Sequence, residues 1–132
     1  MSTPFIDREF PAPDVRPDAS VLWEEAKQGR LMLKKCLDCG QVHWYPRTLC
    51  PFCMGDTEWF AASGLGSVYT FSVSRRVGPT PFCIAYVTLA EGPSMMTNIV
   101  DCDLDAVRIG MPVRLVFKPA VNGQPVPMFA PV

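Results

Sequence analysis

Two short stretches decide the fold of this chain: Cys36-Leu37-Asp38-Cys39 and Cys50-Pro51-Phe52-Cys53. Each pair of cysteines, separated by two residues, predicts a tight turn that directs two thiolates toward one point. The intervening residues form a hairpin that brings the two turns face to face. Four sulfurs can then surround one metal ion tetrahedrally, at Zn–S distances of ~2.3 Å. The spacing therefore predicts one structural zinc ion, and the alternative is a redox dithiol or a pair of disulfides.

The residues beside the cysteines fit such turns. Gly40 and Gly55 lie where the chain needs a positive φ or a close approach of backbone. Pro51 fixes φ inside the second turn.

Composition limits the remaining choices. The chain has 132 residues, enough for one small module joined to a medium-sized one, and only 19% are charged. That fraction is below the usual ~25%, as expected if a partner covers part of the surface or if the chain is a proline-rich β protein. The net charge is −1, so the chain lacks the excess of basic residues that is typical of a nucleic-acid-binding protein. With no long apolar run and no signal-peptide pattern, we expect no membrane association and a cytoplasmic location, where thiols stay reduced.

The first two segments of the chain are an arm and a helix. Residues 1–17 are rich in proline and indicate an extended arm without a core of its own, either disordered or lying along a partner. Residues 18–29 predict a short amphipathic helix with Asp18 as its N-cap and Gly29 at its end. Its apolar stripe has to dock on something, and the ribbon that follows is the expected surface.

The rest of the chain has the period of β-strands. Residues 30–62 predict a three-stranded zinc ribbon with too little apolar area to fold without metal. Residues 63–132 predict five strands in a small, partly open barrel, with residues 125–129 as a short edge strand. The predicted fold class is thus mainly β: an N-terminal helix, a zinc ribbon and a five-stranded barrel.

A series of short motifs runs through the chain in a recognisable order. They are Leu22-Trp23-Glu24, Gly29-Arg30-Leu31, the two cysteine turns, residues 66–71 (Gly-Ser-Val-Tyr-Thr-Phe) and residues 107–113 (Val-Arg-Ile-Gly-Met-Pro-Val). Over about residues 18–130 the chain resembles the zinc-ribbon/OB-fold acyl-CoA-associated family, long catalogued as a domain of unknown function. One departure is the second cysteine turn, in which Gly55 follows one position late. All four cysteines are present, so the predicted metal stands.

The resemblance implies that the ribbon is rubredoxin-like and that the five-stranded barrel is an OB-fold. It implies a function as well. Members of that family are partners or fused domains of thiolases, related acyl-transferring synthases, steroid side-chain aldolases and hydratases. The chain is therefore expected to be a non-catalytic but required subunit of a hetero-oligomer, one that completes the substrate or CoA site of such an enzyme. Whether a CoA thioester contacts this chain stays open.

The inventory of reactive groups agrees with a chain that is not an enzyme alone. His43 is the only histidine, and we expect it to be a half-exposed strand residue rather than a base. Cys83 in an apolar strand and Cys102 among aspartates are expected to be structural thiols. Arg75 and Arg76, after the first barrel strand, are the candidates for binding CoA phosphates, because guanidinium groups bind phosphate through charge-assisted hydrogen bonds.

Two other functions remain as alternatives. Zinc ribbons and OB-folds also bind nucleic acid, and Tyr69 and Phe71 could stack on bases, although the charge balance opposes this. A tetrathiolate site could instead hold iron and carry electrons. An oxidised iron site would be red, whereas zinc is colourless.

Overall fold

The computed structural model describes residues 2–76 and 78–132, so Met1 of the predicted arm lies outside the described residues. It confirms the mainly β class. One helix follows a 3-10 turn, three strands form the ribbon and five form the barrel; a second 3-10 turn spans Leu104–Ala106. The elements are α1 (Ser20–Ala26), β1 (Met32–Cys36), β2 (Val42–His43), β3 (Thr57–Ala61), β4 (Leu65–Ser74), β5 (Phe82–Leu89), β6 (Ser94–Ile99), β7 (Pro112–Pro119) and β8 (Pro125–Pro131).

Helix α1 is shorter than predicted and begins differently. The chain enters it through a 3-10 turn at Pro17–Ala19, and Asp18 makes no side-chain capping bond, so its prediction as N-cap was wrong. Gly29 ends the helical region as expected: its φ is +79°, and its N–H donates to the carbonyl of Ala26 at 3.0 Å.

The apolar stripe of α1 contacts both parts of the molecule. Trp23 Nε1 donates to the hydroxyl of Tyr45 in the ribbon at 3.1 Å, and the Trp23 carbonyl accepts from Gln124 Nε2 in the barrel at 3.0 Å. Leu22 is fully buried between them. We expected docking on the ribbon, with a second protein as the alternative, but the helix joins ribbon to barrel. Ribbon residues Leu31 and Leu33 accordingly belong to the same buried cluster as the barrel interior.

The ribbon is a three-stranded antiparallel sheet in the order β2-β1-β3. Lys34 in the central strand lies opposite His43 on one side and Trp59 on the other. Its ammonium lies 4.7 Å from the Trp59 ring centroid and donates to the Thr57 hydroxyl at 3.1 Å. A lysine can therefore be buried in this small sheet, because its charge has an aromatic face and a hydroxyl as partners.

The barrel is closed, with the strand order β4-β5-β6-β8-β7 and β7 paired back to β4. This corrects two predictions, the partly open barrel and the edge strand at residues 125–129. Strand β8 pairs along its length with β7 and in parallel with β6 at Phe129, whose carbonyl accepts from the Val100 N–H at 2.9 Å. Pro125, Pro127 and Pro131 share the side of Phe129. The N–H groups that these prolines lack would therefore have pointed toward β6, where the pairing is short. The hydrogen bonds between β8 and β7 are not affected.

The N-terminal arm packs on the chain's own barrel. Pro4 forms an antiparallel bridge with Asp103, and the Phe5 N–H donates to the Cys102 carbonyl at 3.0 Å. Phe10 is only 6% exposed. At Pro4, Phe5 and Phe10 the arm therefore contacts the chain's own barrel, and contact of the arm with a partner stays a prediction. Among the described residues no helix has the length and apolar character to cross a bilayer.

Candidate metal centre

The structure brings the four predicted cysteines together. The sulfurs of Cys36, Cys39, Cys50 and Cys53 all lie within 4.8 Å of one another. The Cys36 and Cys53 sulfurs are 3.4 Å apart, and those of Cys39 and Cys50 are 3.7 Å apart. A regular tetrahedron with bonds of ~2.3 Å has sulfur–sulfur edges of about 3.8 Å. The spacing of the sulfurs therefore fits one tetrahedrally bound ion.

Backbone hydrogen bonds hold each turn in shape. In the first, the N–H groups of Asp38 and Cys39 both donate to Cys36 Sγ at 3.3 Å, and the Gly40 N–H donates to the Cys36 carbonyl at 3.1 Å. In the second, the Phe52 N–H donates to Cys50 Sγ at 3.3 Å. Such N–H donors stabilise thiolates, the form in which cysteine binds metal.

Both turns need a residue with a positive φ after their second cysteine, and they use different residues there. Gly40 has a φ of +76°, and Met54, at the matching place in the second turn, has a φ of +68°. Gly55 therefore does not supply the positive φ. It supplies the close approach, because a Cβ there would lie 2.4 Å from Asp38 Oδ2. Gly55 thus allows the two turns to pack closely together, and Met54 adopts the left-handed conformation that is unfavourable for a residue with a side chain.

The electrostatics of the cluster show how tightly the sulfurs are packed. The Cys39 N–H, with that of Asp38, lowers the pKa of Cys36 to about 6. At Cys53 the Gly55 N–H favours the thiolate, but the neighbouring Cys36 sulfur and burial outweigh it and raise the pKa to about 12. Four thiolates cannot share so small a volume without a cation to balance them.

The donor set fits a divalent ion such as zinc. Four sulfurs would fill all four tetrahedral positions and leave none for water or substrate, which is the pattern of structural rather than catalytic zinc. The two turns would then be fastened to each other through the ion.

His43 is buried, contrary to prediction. It is 3% exposed, with its Nε2 accepting the Arg47 N–H at 3.4 Å. Burial, together with the charges of Lys34 and Arg47, lowers its pKa, so the imidazole is neutral near pH 7. Its place opposite Lys34 on the packed side of the ribbon was not visible from a strand of only two residues.

The other two cysteines are apart from the metal cluster. Cys83 is fully buried in the barrel, and burial, with the neighbouring Cys102, raises the pKa of its thiol to about 11. Burial and then Asp103 and Asp101 raise the pKa of Cys102. Neither thiol has the lowered pKa that a nucleophile needs.

The two arginines predicted to bind CoA lie at the end of β4. Arg75 Nε donates to Asp105 Oδ1 at 3.0 Å, and the Thr3 hydroxyl donates to the same carboxylate at 2.8 Å. These bonds fix the arm and the loop after β6 to each other. Arg76 is exposed.

A cleft between ribbon and barrel was missed by sequence reasoning. This junction cleft has a volume of about 610 Å³ and is lined by residues 41–44, Arg47 and residues 51–52 of the ribbon and by residues 91–94, between β5 and β6. Glu91 lies in its wall. Only the register of ribbon against barrel brings these segments together, and no local sequence pattern reports it.

Comparison with known families gives two matches that divide the chain near residue 59. A family described as the ChsH2 rubredoxin-like zinc ribbon domain matches residues 23–59, and one described as the ChsH2 C-terminal OB-fold domain matches residues 59–118. Their junction lies in β3, the last ribbon strand.

Relatives carry names of two kinds. The chain is 34% identical over 127 residues to a probable enoyl-CoA hydratase alpha subunit of Thermomonospora curvata, covering 92% of this chain and 40% of that protein. It is 39% identical over 93 residues to a DUF35 domain-containing scaffold protein of Methanothermobacter thermautotrophicus, covering 64% of this chain and 68% of that protein. The chain thus spans less than half of the hydratase subunit but most of the scaffold protein.

Two solved structures have the same fold. A chain of the Ltp2-ChsH2(DUF35) aldolase superimposes with a TM-score of 0.79 at 33% identity, over 91% of this chain and 98% of that one. A DUF35-family protein of unknown function from Sulfolobus solfataricus gives a TM-score of 0.66 at 14% identity, over 88% and 86% of the two chains. The second similarity concerns the fold alone.

Proposed function

This chain belongs to the ChsH2 family, whose members join a rubredoxin-like zinc ribbon to an OB-fold, and from that premise we propose that it is a non-catalytic accessory subunit of an acyl-CoA-processing enzyme. The partner is of the thiolase, aldolase or hydratase type, and the two form a hetero-oligomer. The observation that carries the proposal is the similarity over nearly the whole chain to the ChsH2 component of an aldolase structure. Relatives named as a hydratase alpha subunit and as scaffold proteins support the same conclusion.

The reactive groups of the chain support a partner that supplies the chemistry. His43 is buried and neutral, and the thiols of Cys83 and Cys102 have raised pKa values. Acyl transfer, aldol cleavage and the addition of water to the double bond of an enoyl thioester all need a positioned base or nucleophile. The described residues bring no such pair together, so the base or nucleophile would come from the partner.

In this proposal the metal is structural. One zinc ion held by Cys36, Cys39, Cys50 and Cys53 would fix the ribbon as a rigid surface for the partner. Arg75 and Arg76 stay the predicted contacts for CoA phosphates. Arg75 would have to share or exchange its bond to Asp105 in order to bind phosphate, which makes the exposed Arg76 the freer group.

Co-purification tests the proposal. The tagged chain is expressed in its native host, and proteins retained with it are identified by mass spectrometry and assayed with acyl-CoA substrates. We expect an acyl-CoA enzyme to be retained, no turnover by the isolated chain, and turnover by the complex that exceeds that of the partner alone. Robust turnover by this chain alone would show that it is an enzyme in its own right.

A charge variant tests the CoA contact separately. Replacing Arg76 by Ala should raise the KM of the complex for the CoA thioester by about 10-fold or more without changing its assembly, since a charge-assisted bond contributes about 1.5–3 kcal/mol. Arg114→Ala, an exposed arginine on β7, is the matched control. Equal KM values for the two variants would remove Arg76 from the CoA site.

A further inference from the structure

Strand β2 offers an open edge. It pairs with β1 on one side and is the outermost strand of the ribbon. The Cys36 N–H donates to the Gln41 carbonyl at 2.9 Å, which makes that pair a hydrogen-bonded position of the ladder. Bonded and non-bonded pairs alternate in antiparallel sheets, so the N–H and C=O of Val42, opposite Lys35, point away from β1. No backbone bond between the described residues uses either group, so both can pair with another strand.

This edge lines the junction cleft, where two buried polar atoms also lack partners. Within residues 2–76 and 78–132, His43 Nδ1 and Glu91 Oε1 make no hydrogen bond. Because His43 Nε2 accepts the Arg47 N–H, Nδ1 carries the proton of the neutral ring and is a donor. The other Glu91 oxygen accepts the Ser63 N–H at 2.9 Å. Both residues line the cleft and both atoms are buried in its wall. One unused donor and one unused acceptor together complement an amide, which can reach them once the side chains that cover them shift.

The rim of the cleft adds charge and apolar area. Arg47 is exposed and takes part in none of the ion pairs between described residues, whereas most other arginines of the N-terminal half are paired. Phe52, 60% exposed, lies beside it with Pro51 and Trp44. An occupant with a carboxylate near an apolar side chain would match this rim.

We propose that the junction cleft receives an extended segment of the partner enzyme, which adds a fourth strand to the ribbon at Val42. The inference rests on the proposed function. The segment's backbone pairs with the Val42 N–H and C=O, a carbonyl accepts from His43 Nδ1, and an N–H donates to Glu91 Oε1. An acidic side chain pairs with Arg47, and an apolar one covers Phe52. Strand addition of this kind takes affinity from main-chain bonds and specificity from side-chain contacts.

A nucleic acid fits the same cleft less well. Its phosphates would lie against the Glu91 carboxylate, and Arg47 is the one cation among the residues that line the cleft. A polypeptide needs only one acidic side chain and otherwise presents neutral amides.

One substitution tests the strand pairing at a single atom. Val42→Pro removes the outward N–H, and since Val42 is at a non-bonded position of the β1–β2 ladder, the bonds to β1 remain. Val42→Ala loses similar side-chain contacts and keeps the N–H, so it is the matched control. Against the enzyme that co-purifies with the chain, we expect Val42→Pro to bind about 3- to 10-fold more weakly than Val42→Ala, the effect of one hydrogen bond.

A second pair of variants tests the acidic contact. Arg47→Ala should weaken binding of the same enzyme by about 3- to 10-fold at low salt, and less at high salt, while Arg114→Ala should not. Overlapping synthetic peptides tiled along the enzyme's sequence then locate the segment. The binding peptide should contain an Asp or Glu whose amide counterpart binds more weakly.

Hydrogen exchange of the wild-type chain tests whether a partner strand pairs at Val42, even if a variant fails to fold. In the complex the Val42 amide should be protected relative to the free chain. If the enzyme binds but Val42 stays unprotected and Arg47→Ala binds normally, docking occurs elsewhere and only this inference is lost. If no acyl-CoA enzyme is retained by the wild-type chain, the proposed function fails and the inference fails with it.

Discussion

Replacing Cys50 by Ser should remove the metal and unfold the ribbon. Cys50 is fully buried, its sulfur lies 3.7 Å from that of Cys39, and the Phe52 N–H is bound to it. A serine hydroxyl at that place is a far weaker ligand than a thiolate. Disturbing a group that only supports a ligand typically weakens metal binding 10- to 100-fold, so loss of a ligand itself should exceed about 100-fold.

The structure indicates what depends on that ion. The β1–β2 pairing has only two register positions, Lys34 with His43 and Lys35 with Val42, so the hairpin has few bonds of its own. Structural zinc contributes ~10–16 kcal/mol in ribbon-sized modules, comparable to the whole stability of a domain, ~5–15 kcal/mol. Without metal, residues 30–60 should therefore lose their protection from hydrogen exchange, while β4–β8 keep theirs.

The assay combines elemental analysis with hydrogen-exchange mass spectrometry. Cys83→Ser is the matched control, because Cys83 is also fully buried but lies in the barrel, away from the cluster. It should keep about one metal ion per chain and a protected ribbon. If the Cys50 variant also kept its metal and its melting temperature, the assignment of these four cysteines to a structural site would be refuted.

Three further outcomes are expected. The purified protein should hold about one metal ion per chain and be colourless; a red protein would indicate iron instead of zinc. Leu33→Ala should lower the free energy of unfolding by about 2–5 kcal/mol in urea titrations, because Leu33 is fully buried in the core shared by ribbon and barrel; a change below 1 kcal/mol would show that the two parts do not share it. Arg75 and then Thr3 lower the pKa of Asp105, so the stability it contributes is present above its unfolded pKa of ~3.9 and lost as pH falls through the folded pKa. Asp105→Asn should therefore flatten the acid limb of the stability profile, and an unchanged limb would contradict the arm–loop contact.

The parts predicted best from sequence are those set by local spacing. The C-x-x-C turns need only a few residues of backbone, so Cys36, Cys39, Cys50 and Cys53 could be grouped without knowing the fold. The largely apolar run at residues 82–89 likewise coincides with β5. The cysteine cluster and the strands thus followed from patterns shorter than about ten residues.

The parts predicted worst depend on contacts between distant segments. The closed barrel depends on β8 pairing with β6 at a single register position, Ile99 with Phe129. The prolines of β8 favoured an edge strand, because proline has no N–H to donate. The sequence alone could not show which neighbouring strand those absent N–H groups would have faced. The prediction that His43 is half-exposed failed for the same reason. Its burial depends on which strand lies opposite a segment of only two residues.

The most consequential long-range feature is helix α1, because it fixes the geometry of the junction cleft. Trp23 is bonded at its indole to Tyr45 of the ribbon and at its carbonyl to Gln124 of the barrel. Both bonds come from one residue of a short helix, so ribbon and barrel cannot turn relative to each other without breaking one of them. A docking edge at Val42 and a barrel wall at Glu91 would therefore present a preformed site, and a partner strand would lose little free energy in ordering it. Trp23→Phe keeps most of the packing and removes the indole donor. If the cleft is preformed in this way, that variant should bind the partner more weakly than wild type while keeping its metal.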